Sequence, residues 1–300
     1  MTQLQEWIGK TETRADIVTA APIAALAATL DIERPDPQPG EALPPLWHWL
    51  YFLPFHRQSE LGPDGHAKRG GFLPPVDLPR RMWAGGRVDF HRPLRVGESI
   101  TRVSRIADVK FKEGRSGPLV FVLVRHQISD AGGLALTEEH DIVYRDHPRP
   151  GDAAPSPQPA PSDATWERII HPDDVLLFRY SALTFNGHRI HYDRRYVTEV
   201  EGYPGLVVHG PLIATLLVDL VRVSLPTAVV TRFEFRAVSP IFDTGPFTVA
   251  ARCKDDRTID LWAKNAAGAL AMTATARYRS DSRNSDSFGG QSGGIVSPGS

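Results

Sequence analysis

The same succession of segments occurs twice in this chain of 300 residues. In the first half, VDFH (88–91) leads to a turn-rich PLRVGES (93–99). Alternating apolar and polar runs follow at 100–111 and 118–128, and GLALTEEHDIVYR (133–145) closes the series. In the second half, TRFEF (231–235) leads to PIFDTGPF (240–247). Alternation follows at 247–253 and 258–263, and GALAMTATARYR (268–279) closes it. Period-two alternation marks a strand with one buried face. The offsets are similar but not constant, as in a duplication that has since taken insertions and deletions. A helical pattern precedes each set of strands. TAAPIAALAATL (19–30) is alanine-rich with Pro22 early, where a helix tolerates it. GPLIATLLVDLVRV (210–223) places Leu212, Ile213, Leu216, Leu217, Leu220 and Val221 on one broad apolar stripe. A helix followed by long antiparallel strands, twice, predicts an α+β fold in which a sheet wraps a buried helix in each half.

Between the halves, DHPRPGDAAPSPQPAPSDA (146–164) is proline-rich and predicts a semi-extended linker rather than a packed element. The expected units are 1–147, a linker at 148–164, a second unit at 165–280 and a Gly/Ser-rich, disordered tail at 281–300. Lys plus Arg is 34 and Asp plus Glu is 35, so the formal net charge is −1. Such a balance provides no global field for nucleic acid or an anionic membrane. The one cysteine, Cys253, excludes an internal disulfide and a cysteine-based zinc cluster, and fits a reducing compartment. The first residues, MTQLQEWIGKTETRAD, show no secretory leader pattern, and apolar runs such as LVFVLV (119–124) are far below the ~20 residues of a membrane helix. The expectation is a cytoplasmic protein.

Two short segments carry the chemistry. FRYSALTFNGHRIHYD (178–193) starts as a short helix that Asn186-Gly187, a dipeptide suited to positive φ, breaks into a turn. His188 and His191 follow in a loop, where reactive groups on a rigid scaffold tend to lie. An imidazole with a pKa near ~6.5 takes and gives protons near neutral pH, and His191 is the better placed of the two. The competing reading is that both histidines only satisfy buried hydrogen bonds. A His-x-x-His pair with Asp193 or His209 also has the residue types of a metal site, but the helix-borne H-E-x-x-H pattern is absent and no metal is expected. The second segment, LVVHGPL (206–212), opens the apolar helix at Gly210 with Pro211 in its first turn. Free N–H groups there carry partial positive charge and suit a developing oxyanion.

Upstream, HAKRGGFLPPVDLPRRMWAGG (66–86) gathers Lys68, Arg69, Arg80 and Arg81 beside Trp83, a set suited to a phosphate-bearing arm or a carboxylate. WHWLYF (47–52) reads as core or channel wall. GQSGG (290–294) matches a nucleophile-elbow pattern only by accident, since no strand precedes it and no helix follows. Neither a P-loop nor a G-x-G-x-x-G is present.

FRYSALTFNGHRIHYD followed by PGLVVHGPL resembles the MaoC-like, double-hotdog hydratase/dehydratase family. The resemblance is to its branch of hydroxyacyl-thioester dehydratases type 2 and mesaconyl-C4-CoA (3-methylfumaryl-CoA) hydratases. LPPLWHWLYFLP, GFLPPVDLPRRMWAGG and KEGRSGPLVFVLVRHQI are similar to that branch's degenerate first hotdog, so the likeness runs over about residues 4–280. It implies two hotdogs, each a helix wrapped by a curved antiparallel sheet, the first widened to admit the acyl chain and the second carrying the catalytic loop. It implies reversible hydration of an α,β-unsaturated acyl-CoA thioester, with no metal or redox cofactor. The family's loop histidine falls on His191 and its oxyanion helix start near His209 and Gly210. Its loop aspartate falls on Asn186 and its usual asparagine on His188, and an asparagine cannot act as a base. The resulting assignment is His191 as acid/base, Asn186 as water anchor, His188 as a possible sharer of the proton and Gly210 as carbonyl polariser.

A dicarboxylic thioester needs a cation at its free carboxylate, and Arg179, Arg189 and Arg81 are candidates, with Tyr180 and His209 also expected at the substrate. Likeness over the whole first half favours mesaconyl-C4-CoA going to citramalyl-CoA. A 3-hydroxyacyl-thioester dehydratase of fatty acid metabolism and an itaconyl-CoA hydratase are the alternatives within the class. A hotdog thioesterase and a non-catalytic acyl-CoA-binding protein are those outside it. Monomer and homodimer both fit, because a duplicated hotdog already makes its pairing internally.

Overall fold

The computed structural model describes residues 2–114, 117–147 and 156–280. In the first half the order is α1 (Thr2–Gln5), β1 (Thr11–Ile17), α2 (Ala20–Thr29), β2 (Arg80–Phe90), β3 (Ser99–Gly114), β4 (Gly117–Asp130) and β5 (Gly133–Arg145). In the second it is β6 (Trp166–Ile170), α3 (Asp174–Leu183), α4 (Arg194–Glu199), α5 (Gly210–Ser224), β7 (Ala228–Ala237), β8 (Phe247–Asp255), β9 (Thr258–Asn265) and β10 (Leu270–Ser280). The ten strands form one antiparallel sheet in the order β1-β3-β4-β5-β2-β7-β10-β9-β8-β6. Exchanging each strand with the one five places on leaves this order unchanged when read from the other end. That is the duplication expressed as topology.

The halves join where β2 pairs with β7, from Gly85 opposite Arg236 to Asp89 opposite Arg232. Val88 faces Phe233 in this seam and both are fully buried. The Arg232 guanidinium closes on Asp89, with Nη1 2.7 Å from its carboxylate. The seam lies within one hydrophobic cluster that runs from Ile23 and Leu26 of α2 through both halves of the sheet to Val249 and Ile259.

The two halves differ in what fills their concave faces. In the second, α5 lies against β6 to β10, and every residue from Leu212 to Val221 is buried. In the first, α2 directly follows β1 as α3 follows β6, and it packs on α3 and on the 3-10 turn Trp47–Leu50 rather than under the sheet. The expectation that each half wraps a helix therefore holds for the second half alone among the described residues. The reason is in the chain. Prolines at 35, 37, 39, 44, 45, 54, 63, 74, 75 and 79 interrupt the segment between α2 and β2, and proline inside a helix costs ~3 kcal/mol or more. That segment forms only the short 3-10 turns Trp47–Leu50 and Gln58–Glu60.

Two further differences from the sequence expectations concern the linker and the edges. Residues 148–155 of the proline-rich stretch, the tail at 281–300 and its GQSGG lie outside the described residues. From Ser156 on, however, the stretch is packed. Leu270 N–H donates to Gln158 O at 2.7 Å, Ala160 N–H donates to Gly268 O at 3.0 Å, and Ala160 and Ala164 cover Trp262. The edge strands β1 and β6 went unrecognised because TETRADI and WERII bury no residue.

Phe233→Ala is expected to lower unfolding stability by about 3–5 kcal/mol, the cost of emptying a buried phenylalanine site, as read by chemical denaturation.

Candidate active site

The catalytic-loop candidate is built from the end of α3 onward. Asp173 caps α3 by accepting from Leu176 N–H at 2.8 Å. The helix ends where Asn186 N–H donates to Ser181 O at 2.8 Å and Phe185 takes φ 50°. The reversal thus falls on Phe185, one residue before the expected Asn186-Gly187, and Phe185 rests its ring on Phe55 of the first half at 5.2 Å. Asn186 Oδ1 accepts from His188 N–H at 3.0 Å. This turns the side chain back onto its own loop, a role asparagine performs readily.

Gly187 is required for a different reason. The loop at Pro63–Gly65 crosses it so closely that a Cβ on Gly187 would stand 2.9 Å from Gly65 O, and a Cβ on Gly65 would overlap Gly187 O. Arg189 N–H donates to Asp64 O at 2.9 Å, and its Nη1 donates to Pro63 O at 3.0 Å. The rest of its guanidinium grips Asp193 Oδ2 and lies over the Tyr196 ring. Arg189 is thereby committed to structure.

His191 ends the 3-10 turn Arg189–His191 and is 8% exposed. Its Nδ1 lies 2.7 Å from Val207 O. A carbonyl only accepts, so Nδ1 carries the hydrogen and Nε2 keeps its lone pair. Behind it the His209 ring stacks at 3.8 Å and 18°. His209 is fully buried, shares a 2.8 Å hydrogen bond between Nε2 and Ser181 Oγ, and is the N-cap of α5. Burial pushes His191 down to about 4, with the hydrogen bond to Val207 opposing the shift. Burial also lowers His188 and His209, each further depressed by neighbouring histidines. All three rings are therefore neutral at pH 7.

His188 and His191 open onto a cavity of ≈ 1550 Å³. One wall is the loop with Asn186, His188 and His191, together with Pro211 of α5. Another is the inner face of the first sheet, with Val124, Ile128 and Ile142. The space lies where the first half has no helix packed under its sheet, α2 being packed on α3 instead. A Cβ built on Gly210 meets nothing within 4 Å, so the start of α5 is accessible. Arg81 lines the cavity and contacts Tyr144, whereas its neighbour Arg80 is paired with Glu201. Arg179 does not line it: the side chain is exposed and points Nη1 at Ala28 O, 3.5 Å away. Tyr180 is buried beneath His209, at 5.0 Å between rings. Tyr180 still lines the cavity, whereas His209 does not and stands behind His191.

Sequence reading missed two groups here. Glu138 lies at the cavity floor, 3% exposed, with His48 Nε2 3.0 Å from Oε2 and Trp49 Nε1–H donating to Oε1 at 2.7 Å. His140 Nε2 also lies 2.7 Å from Oε1. Burial alone would raise this carboxyl, but His140 and His48 hold it well below the usual range. The signal was TEEH (137–140), which puts Glu138 and His140 on one face of a strand. The second group is Asp64 and His66, with His66 Nδ1 2.9 Å from Asp64 Oδ2 and the His66 ring 3.9 Å from that of His188.

Donor atoms of Asp64, His66 and His188 lie within 4.8 Å of one another. A tetrahedral zinc with His nitrogens at about 2.0–2.1 Å would set two ligating rings about 5 Å apart between centres. At 3.9 Å the two rings are packed too closely for that arrangement, and one Asp64 oxygen is already hydrogen-bonded to His66.

A family model described as hydroxyacyl-thioester dehydratase type 2 matches residues 46–243. The chain belongs to this family. The mesaconyl-C4-CoA hydratase of Chloroflexus aurantiacus is 50% identical over 272 residues, covering 90% of this chain and 95% of the relative. The mitochondrial hydroxyacyl-thioester dehydratase type 2 of Schizosaccharomyces pombe is 30% identical, covering 82% and 90%. Among solved structures, HtdX of Mycobacterium tuberculosis superposes with a TM-score of 0.62 at 18% identity, covering 90% of this chain and all of that one. Another protein of that organism, described as a double hotdog, superposes at 0.55 and 14% identity, covering 91% and 96%. The fold of this dehydratase-family chain is the α+β double hotdog, with the helix of the first repeat displaced. Among the described residues no helix is long and apolar enough to cross a membrane.

The ring of His191 is expected to stay neutral to about pH 5 and to titrate near 4, as followed by histidine ring NMR. The unfolded chain binds this proton near the ordinary 6.5, so the stability the buried neutral ring contributes is full above 6.5 and is lost as pH falls towards 4.

Proposed function

We propose that this protein reversibly adds water across the α,β double bond of an acyl-CoA thioester, taking mesaconyl-C4-CoA to citramalyl-CoA. The observation that carries the reading is His191, a buried, neutral imidazole with its tautomer set by Val207 and its free Nε2 beside the start of α5. Half-identity to a mesaconyl-C4-CoA hydratase over nearly the whole of both chains supports the choice of substrate. Hydration leaves the oxidation state of the pair unchanged, so it calls for no electron carrier, and none is proposed.

In this reading the thioester carbonyl points at the N-terminus of α5, where the Gly210 N–H and the helix dipole stabilise charge on its oxygen. His191 Nε2 takes one proton from water. The hydroxide bonds to the β-carbon, and the double-bond pair moves onto the carbonyl oxygen as an enolate. The protonated His191 then returns its proton to the α-carbon, which restores the neutral ring and gives syn addition. His209 and Tyr180 act behind His191 as supports, and Asn186 shapes the loop through His188 N–H.

The free carboxylate of mesaconyl-C4-CoA is attached to the carbon that receives the hydroxyl. Its cation must therefore stand beside the histidines. Arg81 satisfies this, because it lines the cavity close enough for its charge to lower both His66 and His188. Arg179 and Arg189 do not, the first being outside the cavity and the second held by Asp193 and Pro63.

Three outcomes are expected with purified protein and a panel of mesaconyl-C4-CoA, itaconyl-CoA and crotonyl-CoA. His191→Ala lowers kcat by about 10²–10⁴-fold, the usual contribution of a positioned acid/base. Enoyl absorbance is lost without release of free thiol, and thiol release would instead mark a thioesterase. Arg81→Met raises KM for mesaconyl-C4-CoA by about tenfold or more, as loss of a charged hydrogen bond of ~1.5–3 kcal/mol requires, while leaving crotonyl-CoA nearly unchanged. Equal effects on both would remove Arg81 from the carboxylate site.

A further inference from the structure

The attacking water has two hydrogens, and His191 accepts only one. The second needs an acceptor on the same side of the substrate. Asn186 stands where a carboxylate is expected, but it has no basic group, and its Oδ1 is turned back onto its own loop by the bond from His188 N–H. The first half brings another group to this point. Pro63, Asp64 and Gly65 cross the catalytic loop at Gly187 and are pinned to it by Arg189. That crossing sets the His66 ring 3.9 Å from the His188 ring, and His188 in turn packs edge-on against His191 at 5.4 Å. His66 lines the cavity, and its Nδ1 is 2.9 Å from Asp64 Oδ2.

Burial would raise the Asp64 carboxyl, but hydrogen bonds from the His66 ring and from its backbone N–H hold it well below the usual range, so it is ionised and only accepts. His66 Nδ1 must then be the donor, which leaves Nε2 with a lone pair. Burial lowers His66, with Asp64 opposing and Arg81 and Arg69 reinforcing the shift, so the ring is neutral at pH 7. The titratable and charged groups around it are Asp64 on its own loop, Arg69 and Arg81 from the first half, and His188 and His191 from the second.

We propose that His66 is a second catalytic residue of the hydration, accepting through Nε2 the hydrogen that the attacking water keeps, and that Asp64 is the positioning residue that sets its tautomer. The inference rests on the hydratase reading above. In the step itself, one water proton passes to His191 and later to the α-carbon. The oxygen bonds to the β-carbon and retains its other hydrogen, which stays hydrogen-bonded to His66 throughout, so no net proton is exchanged with His66. The pair of neutral imidazoles, one from each half, does the work of a His and a carboxylate from a single loop.

The test uses the full chain and steady-state hydration of mesaconyl-C4-CoA, with wild type and His191→Ala alongside. His66→Ala is expected to lower kcat by about 10²-fold, the scale of loss when a reactant is mispositioned, with KM changed far less. His66→Gln, whose amide oxygen accepts, restores part of that loss. Asp64→Asn lowers kcat and shifts the His66 ring from the Nδ1–H towards the Nε2–H tautomer in ¹⁵N NMR, a change that a merely structural role of Asp64 would not produce. Should the alanine variant not fold, Asp64→Asn carries the test through both readouts. A His66→Ala protein with kcat within about twofold of wild type overturns the inference. So does an Asp64→Asn protein with rate and tautomer unchanged, or a wild type inactivated by a chelator, which would make the cluster a metal site. A wild type that turns over none of the enoyl thioesters overturns the hydratase reading itself.

Discussion

A ten-stranded antiparallel sheet joined at the β2–β7 seam has two concave faces, and only one of them receives a long helix. The rest of the molecule follows from this asymmetry. Where α5 lies, the buried run from Leu212 to Val221 fills the interior. Where no helix lies, proline-broken chain lines the sheet, a large cavity remains, and polar groups reach its floor. The second half can therefore supply a rigid helix start for charge stabilisation while the first supplies room for an acyl group.

Much of this was legible because it is local. The strands from β2 to β5 and from β7 to β10 announce themselves by alternation, and α5 by its apolar stripe. The edge strands did not, since a strand with no buried face carries no alternation signal to read. α2 was recognised as a helix but expected under the first half's sheet: its buried residues, Ile23, Leu26 and Ala27, look the same in sequence whether they face a sheet or, as here, α3. In the site, His191, His188 and Asn186 were visible as one motif. Asp64 and His66 were not, because nothing in a loop of glycine, proline and cations shows that it will cross another loop more than a hundred residues away.

Burial organises the electrostatics. Three histidines of the second half are kept neutral by removal from water, and each is then oriented by a neighbour: His191 by Val207, His209 by Ser181, His188 by the rings on either side. Glu138 is the opposite case, a carboxylate kept ionised in the interior. An isolated buried charge would be costly, and His48, His140 and Trp49 offset that cost. The cavity thus has neutral histidines at one end and a compensated charge at its floor.

The crossing of Gly65 over Gly187 has a consequence for descent. Each glycine leaves no space for a side chain on the other, so the two halves of an ancient duplication cannot drift independently at this point. A side chain at either position meets the backbone carbonyl of the other loop, whatever residue stands there, which ties together two positions from separate repeats. What started as two interchangeable copies has become a lineage in which neither copy can be replaced alone.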